Sequence, residues 1–194
     1  MKRRVDSMAA PFIGLILFAG AAQAQVSWFV GAMGTMPVGD YGKYANIGWL
    51  AAAGASLPLS GGNAIRIDGN FGINQHDSEF DGGDASTTLM GALARFIKPL
   101  GGGASGFSAD RSGARPFQDG GAGSSAYLHA GGGILLHKYN PPAGIDGSTD
   151  TQVVVSLGAG MNFGRSLFGE VAYNHGLDET TYLSFGLGFK FGSQ

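Results

Sequence analysis

The sequence contains no cysteine in its 194 residues. A disulfide framework, a thiolate metal site and a lipid-modified N-terminal cysteine are therefore excluded. Charge is also scarce, because Asp, Glu, Lys and Arg together make up 13% of the chain, where about 25% is usual. With a net charge of −2, the chain has no basic field of the kind that binds nucleic acid.

Long apolar runs are missing as well, with one exception at the N-terminus. Residues 8–22 are almost purely apolar, follow three basic residues at 2–4, and precede the small-residue pattern Ala22-Gln23-Ala24. These are the three parts of a secretory signal, and the run is shorter than the roughly 20 residues that a membrane-spanning helix needs. We therefore predict a signal peptide over residues 1–24, cleaved before Gln25, and a single domain over residues 25–194.

Glycine is the residue in excess, with 36 copies. Residues 182–191 alternate large apolar residues with small or polar ones over ten positions, and residues 65–74 show the same period. A period of two is typical of β-strands and is incompatible with a helix. Eight such segments are predicted to be strands: 26–38, 48–57, 64–74, 87–98, 125–138, 152–163, 167–175 and 182–191.

The predicted connections fall into two classes. Residues 58–63 and 162–166 are short and rich in turn-forming residues, whereas residues 39–47, 75–86 and 139–151 are longer and polar. Short turns on one side and long loops on the other are typical of membrane barrels, for which eight strands is the smallest usual number. The predicted fold class is all-β: a closed, antiparallel, up-and-down transmembrane β-barrel of about eight strands.

One predicted connection does not follow this scheme. Residues 101–124 are long and glycine-rich, yet the strand count places them on the side of the short turns. Their composition favours a flexible insertion. An additional strand near residues 114–118 is the alternative, and it would change the strand count.

Alternation alone does not decide which face points inwards, because a soluble barrel shows the same period. Three features favour an apolar outer wall: one face is built from small residues, the strand charges lie on that face, and aromatic residues gather near strand ends. The charges are predicted to form a polar network in the lumen, made of Arg66, Asp68, Arg95, Glu170 and Lys190. The aromatic residues are predicted to form interfacial girdles, made of Trp28, Trp49, Phe163, Tyr173, Phe189 and Phe191.

In these features the chain resembles the small eight-stranded outer-membrane barrels of the OmpA/OmpX-like superfamily. The most specific part of the resemblance is the last strand, where Phe185, Phe189 and Phe191 alternate before Gly192-Ser193-Gln194. The resemblance implies a place in the bacterial outer membrane, contact with its lipids and lipopolysaccharide, and insertion by the barrel-assembly machinery. It implies no cofactor.

Eight strands leave a lumen that side chains fill. We therefore expect a structural or surface-interaction barrel, with a narrow pore as one alternative. Outward loops would offer a surface partner Tyr41, Lys43, Tyr44, Phe80 and Tyr139.

The other alternative is an enzyme that modifies lipid A. The sequence Tyr173-Asn174-His175-Gly176 resembles the deacylase strand that carries a catalytic histidine, but Leu177 occupies the position of the serine nucleophile. Residues 77–82 echo the start of a calcium loop, but Thr88 stands where the last carboxylate ligand would lie. We therefore expect no catalytic, metal or cofactor site.

Overall fold

The computed structural model describes residues 26–76, 85–100, 124–142, 144–178 and 180–192. Within these ranges, no helix is long and apolar enough to cross a membrane. Short 3₁₀ turns occupy Tyr41–Lys43 and Ser60–Gly62. The strands are β1 (Ser27–Pro37), β2 (Ala45–Pro58), β3 (Ala64–His76), β4 (Ser86–Pro99), β5 (Ser124–Asn140), β6 (Ser148–Phe163), β7 (Leu167–Gly176) and β8 (Thr181–Phe191).

The strands form one closed barrel in which each strand pairs antiparallel with the next. The barrel closes where β1 pairs with β8, with Trp28 opposite Phe191. The predicted fold class is therefore confirmed. β4 pairs directly with β5, so the sheet has no place for an extra strand between them. The predicted insertion lies outside the described residues except for Ser124, and so does the predicted signal.

The two ends of the barrel differ. At one end, the backbone N–H of Leu59 donates to the carbonyl of Asn63 at 2.8 Å, and Gly61 and Gly62 take positive φ angles of 72° and 80° that close the β2–β3 turn. Gly164 does the same for the β6–β7 turn, with φ of 67°. We call this the turn end and the opposite one the loop end.

The strands are inverted relative to those of a soluble protein, because the polar face is buried. Along β3, Arg66, Asp68 and Asn74 are buried in the lumen, while Ile65 and Phe71 are exposed on the outer wall. The same holds around the barrel: Leu157 on β6 is 62% exposed and Leu187 on β8 is 58% exposed. The structure thus places most large apolar residues outside, while a smaller apolar group that includes Phe29, Leu135 and Phe168 is buried in the lumen.

Glycines make room for the large side chains inside. Gly160 lies directly opposite Tyr127, Gly158 opposite His129, and Gly188 opposite Phe168. A Cβ atom on Gly160 would lie only 2.2 Å from Cζ of Tyr127. These large side chains fit inside the barrel because a glycine on one strand accepts the side chain of its neighbour.

Two strands, β2 and β6, begin three and four residues earlier than predicted. β2 starts at Ala45 rather than 48, with an irregular register between Ala45 and Gly48. β6 starts at Ser148 rather than 152, so the predicted loop 139–151 shrinks to 141–147. Residues 148–151 are polar and exposed on both faces, so they show no alternation, and their pairing with β5 makes them a strand.

Candidate functional site

Four charged side chains meet in the middle of the lumen, and we call them the central ion cluster: Arg66 and Asp68 on β3, Arg95 on β4 and Glu170 on β7. All four are buried. Arg95 binds Asp68 with two hydrogen bonds, Nη2 to Oδ2 at 2.7 Å and Nε to Oδ1 at 3.1 Å. Its Nη1 donates to Oε1 of Glu170 at 2.7 Å, and Nη2 of Arg66 donates to Oε2 of Glu170. Two positive and two negative charges therefore compensate one another across the barrel.

Neighbouring side chains complete this cluster. The hydroxyl of Tyr127 donates to Oε2 of Glu170 at 3.0 Å, and Nε2 of His129 lies 3.4 Å from Oε1 of Glu170. The guanidinium of Arg66 lies over the ring of Phe29, 5.1 Å from its centroid. The predicted lumenal network does not include Tyr127 or His129. The signal was available, since both share the inward parity of Gly131 and Gly133 on β5.

The strand register explains why these long side chains can reach one another. Glu170 is flanked by Gly160 on β6 and Gly186 on β8, and Asp68 lies opposite Gly54 on β2. Because these neighbours have no side chain, the charged groups extend across the lumen without obstruction. A buried charge is costly unless it is paired and hydrogen-bonded, and here the oppositely charged partners are within reach.

Lys190, the fifth predicted member of the network, lies apart from the other four, towards the turn end. It pairs with Phe29 of β1 in the register, and its ammonium donates to Oδ1 of Asn162. The same ammonium lies 5.3 Å from the ring centroid of Phe168 and 5.8 Å from that of Tyr127. The structure therefore brings together four of the five predicted residues and sets Lys190 beside them.

A cluster of aromatic rings lies at the loop end. Tyr41 in the first loop is fully buried, and its ring lies 5.6 Å from Tyr44 and 5.8 Å from His137. The ring of His76 lies between those of Tyr44 and Tyr139, with distances between ring centroids of 5.4 Å and 5.2 Å. The expectation that Tyr41 faces a surface partner is wrong, because its loop folds over the barrel mouth and directs the ring inwards. This burial raises the pKa of the Tyr41 phenol.

Asp40 and Lys43 lie on the outside of the same loop, where they form an exposed ion pair. The hydrogen bond from Lys43 lowers the pKa of the Asp40 carboxyl and raises the pKa of the ammonium. Such a pair contributes little to stability. The polar exterior of the first loop and its buried tyrosine are thus separate features.

Little space is left between the central ion cluster and the loop end. A cavity of about 10 Å³ lies among Asp68, Asn70, Arg95, Asn174 and Tyr182. This is about the volume that one water molecule needs. This cavity therefore has room for a single water molecule and none for a small-molecule substrate.

The described residues hold no group of three or more His, Cys, Asp or Glu that could bind a metal ion. His175 faces outwards near the loop end, where its ring stacks on Tyr173 with centroids 6.3 Å apart. Its Nδ1 lies 2.9 Å from Oγ1 of Thr181, a contact that links β7 to β8. Residues 77–82, which echo a calcium loop, lie outside the described part of the chain.

The predicted girdle residues all lie on the outer wall. Trp28, Phe163, Phe189 and Phe191 are near the turn end, where the register brings Trp28 beside Phe191. Trp49 lies towards the loop end, and its ring centroid lies 5.7 Å from that of Phe71. Tyr173 is also exposed on that half of the wall. Aromatic rings therefore lie on the outer surface towards both ends of the barrel.

Comparison with known proteins identifies the fold. No protein-family model matches the chain, and no curated protein matches it. Among solved structures, Neisserial surface protein A (NspA) aligns with a TM-score of 0.56 and 10% identity, covering 87% of this chain and 97% of NspA. Ail, the attachment invasion locus protein of Yersinia pestis, aligns with a TM-score of 0.49 and 12% identity, covering 87% of this chain and 99% of Ail. The N-terminal barrel domain of Pseudomonas aeruginosa OprF aligns with a TM-score of 0.46 and 14% identity, covering 87% of this chain and 100% of that domain.

At this level of identity the alignment with NspA concerns the fold alone. It agrees with the closed ring of eight antiparallel strands. The chain has the fold of the small eight-stranded outer-membrane β-barrels.

Proposed function

We propose that this chain is a bacterial outer-membrane protein with a structural or surface-interaction role, exported by its N-terminal signal and closed along its axis by its own side chains. The observation that carries the proposal is the inverted distribution of residues. Large apolar side chains cover the outer wall, while Arg66, Asp68, Arg95 and Glu170 are buried inside.

Energetics connect this distribution to lipid. A continuous apolar belt that faced water would be a severe aggregation liability, since soluble monomers rarely expose apolar patches of more than a few hundred Å². In a bilayer the same belt is solvated by acyl chains, and the closed ring of strands satisfies every backbone group that faces them. The outward aromatic residues Trp28, Phe191 and Trp49 are suited to the two interfaces, where aromatic girdles lie in such barrels.

The side chains that lie inside the barrel favour a structural or interaction role over a transport role. The central ion cluster crosses the barrel, and the rings of Tyr41 and His76 lie at the loop end. Function in such a molecule belongs to the surface beyond the wall, because loops carry binding residues more often than the scaffold does. NspA, with which the chain shares its fold, is called a surface protein.

The test is expression of the full chain in a bacterium with an outer membrane, followed by fractionation. We expect the protein in the outer-membrane fraction, with a gel mobility that changes on boiling because the closed barrel resists detergent until heated. N-terminal sequencing should begin at Gln25. A soluble periplasmic product would overturn the proposal.

The enzyme alternative has its own test. Lipid A from cells with and without the protein should give the same acyl pattern by mass spectrometry, because Leu177 occupies the position at which the deacylase strand carries its serine nucleophile. Loss or transfer of an acyl chain would replace the structural role with a catalytic one.

A further inference from the structure

In the described part of the chain, β6 has an open strand edge at the loop end. β6 begins at Ser148, but its pairing with β7 begins only at Val154, which lies opposite Gly176. On its other side β6 pairs with β5 as far as Ser148, opposite Tyr139. Among the described residues, Ser148–Gln152 therefore has a strand neighbour on one side only. This open edge is about 17 Å long at the usual rise of about 3.4 Å per residue.

The backbone groups that face this edge follow from one hydrogen bond. The N–H of Leu177, just after β7, donates to the carbonyl of Val153 at 3.0 Å. The backbone groups of Val153 thus point to the β7 side, and those of Thr149 and Thr151 point the same way, since the direction repeats every second residue. The groups of Ser148 and Asp150 point to β5. Thr149 and Thr151 together present two N–H donors and two carbonyl acceptors in extended geometry.

The open edge is accessible, and its charged neighbours are three acidic residues and one basic residue, Lys138 of β5, which lies opposite Thr149. Ser148, Thr149, Asp150 and Thr151 are all exposed, in contrast to Gln152, which is buried at the mouth of the barrel. Asp150 lies within the edge, and Asp146 and Asp178 lie in the adjoining connections. Threonine is favoured in strands, so the edge keeps its extended form although only β5 pairs with it.

We propose that the open edge of β6 binds an extended, basic segment of a partner protein by strand addition. Such a segment would pair with the free backbone groups of Thr149 and Thr151, and its lysine or arginine side chains would lie near Asp150. Backbone pairing of this kind supplies affinity, and side chains on alternate positions supply specificity. The inference rests on the proposed function, because it requires the loop end to face outwards from the membrane.

Charge selects this partner over a second copy of the chain. In an antiparallel pairing of two identical edges centred on residue 150, each Asp150 would lie opposite the other. Like charges directly opposite each other destabilise a sheet. A charge on an edge strand also disfavours pairing with neutral apolar strands, which leaves a basic segment as the complementary one.

The experiment uses the full-length protein in lipid nanodiscs and an acetylated, amidated heptapeptide of alternating lysine and valine. We expect saturable binding, with amide hydrogen exchange at Thr149 and Thr151 slowed at least tenfold by the peptide. Exchange at Ser148 and Asp150 should change little, because β5 already protects these amides. Absence of binding at millimolar peptide would overturn the proposal.

Backbone-directed controls separate strand addition from simple charge attraction. A peptide with N-methyl groups on the residues facing the edge keeps its charge and should bind at least tenfold more weakly. Thr151→Pro should have the same effect by removing an edge donor, whereas Thr151→Val should bind normally. Asp150→Asn should weaken binding severalfold. A peptide affinity that changes neither with N-methylation nor with Thr151→Pro would contradict the proposal.

Two further outcomes are decisive. A dimer of the wild-type protein that Thr151→Pro abolishes would show that a second copy occupies the edge, and would overturn the assignment to a basic partner. Heat-modifiable migration of the Thr151→Pro protein reports on the barrel alone. Loss of peptide binding with that migration retained would assign the binding to the edge, whereas a wild-type protein without heat-modifiable migration would reject the proposed function itself.

Discussion

Glycine determines which large side chains the lumen can hold. Gly160 receives the ring of Tyr127, and Gly54 and Gly186 leave space beside Asp68 and Glu170. The need here is volume, since none of these three has a positive φ. The excess of glycine in the composition is thus explained in part by the need to pack rings and charged groups inside a narrow barrel.

The first prediction concerns one of these contacts. Gly160→Ala should destabilise the barrel by about 1 to 3 kcal/mol, because the new methyl group would overlap the Tyr127 ring and overpacking costs about this much. Urea unfolding in phospholipid vesicles, followed by tryptophan fluorescence, measures the change. Gly69→Ala is the matched control, since it lies on the outer wall with its nearest neighbouring atom 3.9 Å away. An equal loss of stability in both variants would contradict the packing argument.

The second prediction concerns the central ion cluster. Glu170→Ala should lower the free energy of unfolding by about 3 to 5 kcal/mol, because Arg66 and Arg95 would remain buried beside a single carboxylate. The same urea titration measures it. Asp146→Ala, on an exposed connection, should change stability by less than about 0.5 kcal/mol. A Glu170→Ala barrel as stable as the wild type would refute the structural role of the cluster.

At the scale of the strand, the outward face decides where the protein can fold stably. β8 directs Phe185, Leu187 and Phe189 outwards, and the inward position between the last two is Gly188, which the Phe168 ring covers. A soluble barrel with the same alternation would direct these apolar residues inwards. A charge placed on the outward face therefore distinguishes lipid from water as the medium around the strand.

The third prediction uses this difference. Leu187→Arg, near the middle of β8, should cost about 2 to 4 kcal/mol in a bilayer, the usual cost of a basic residue near the midplane. Thr149→Arg, beyond the pairing with β7, should be nearly neutral. Urea unfolding of both variants in vesicles supplies the comparison. A neutral Leu187→Arg would show that this wall does not face acyl chains.

At the scale of the whole molecule, the proposed closure of the barrel rests on side chains at three levels. Lys190 and Phe168 lie towards the turn end, the central ion cluster crosses the middle, and the ring of Tyr41 is buried at the loop end. The side chains of the first two levels come from different strands, and Tyr41 comes from the first loop. Opening a continuous path would therefore require several parts of the structure to move together.

The fourth prediction follows from this closure. The purified protein in planar lipid bilayers should give no steady single-channel openings. Leu135→Ala is not expected to open it either, because removing one buried apolar side chain leaves the central ion cluster in place. Steady openings of the wild-type protein would favour the narrow-pore alternative.

The sequence was sufficient for the architecture because a period of two survives in almost every strand. Alternation and turn residues placed all eight strands, and the direction of Arg66, Asp68 and Glu170 followed from the cost of charge in lipid. The prediction failed where alternation is absent. Residues 148–151 are exposed on both faces and were assigned to a loop, although pairing with β5 extends the strand through them.

Local sequence thus determined most of the residues that form strands and which face of each strand is apolar, because both depend on neighbours one and two positions away. The tertiary structure decided the rest. Contacts between distant strands brought Arg95 to Glu170, added Tyr127 and His129 to the cluster and set Lys190 apart from it. The pairing of β6 with β7 also decided that the first residues of β6 have an open edge. Such an edge depends on where two paired strands end relative to each other.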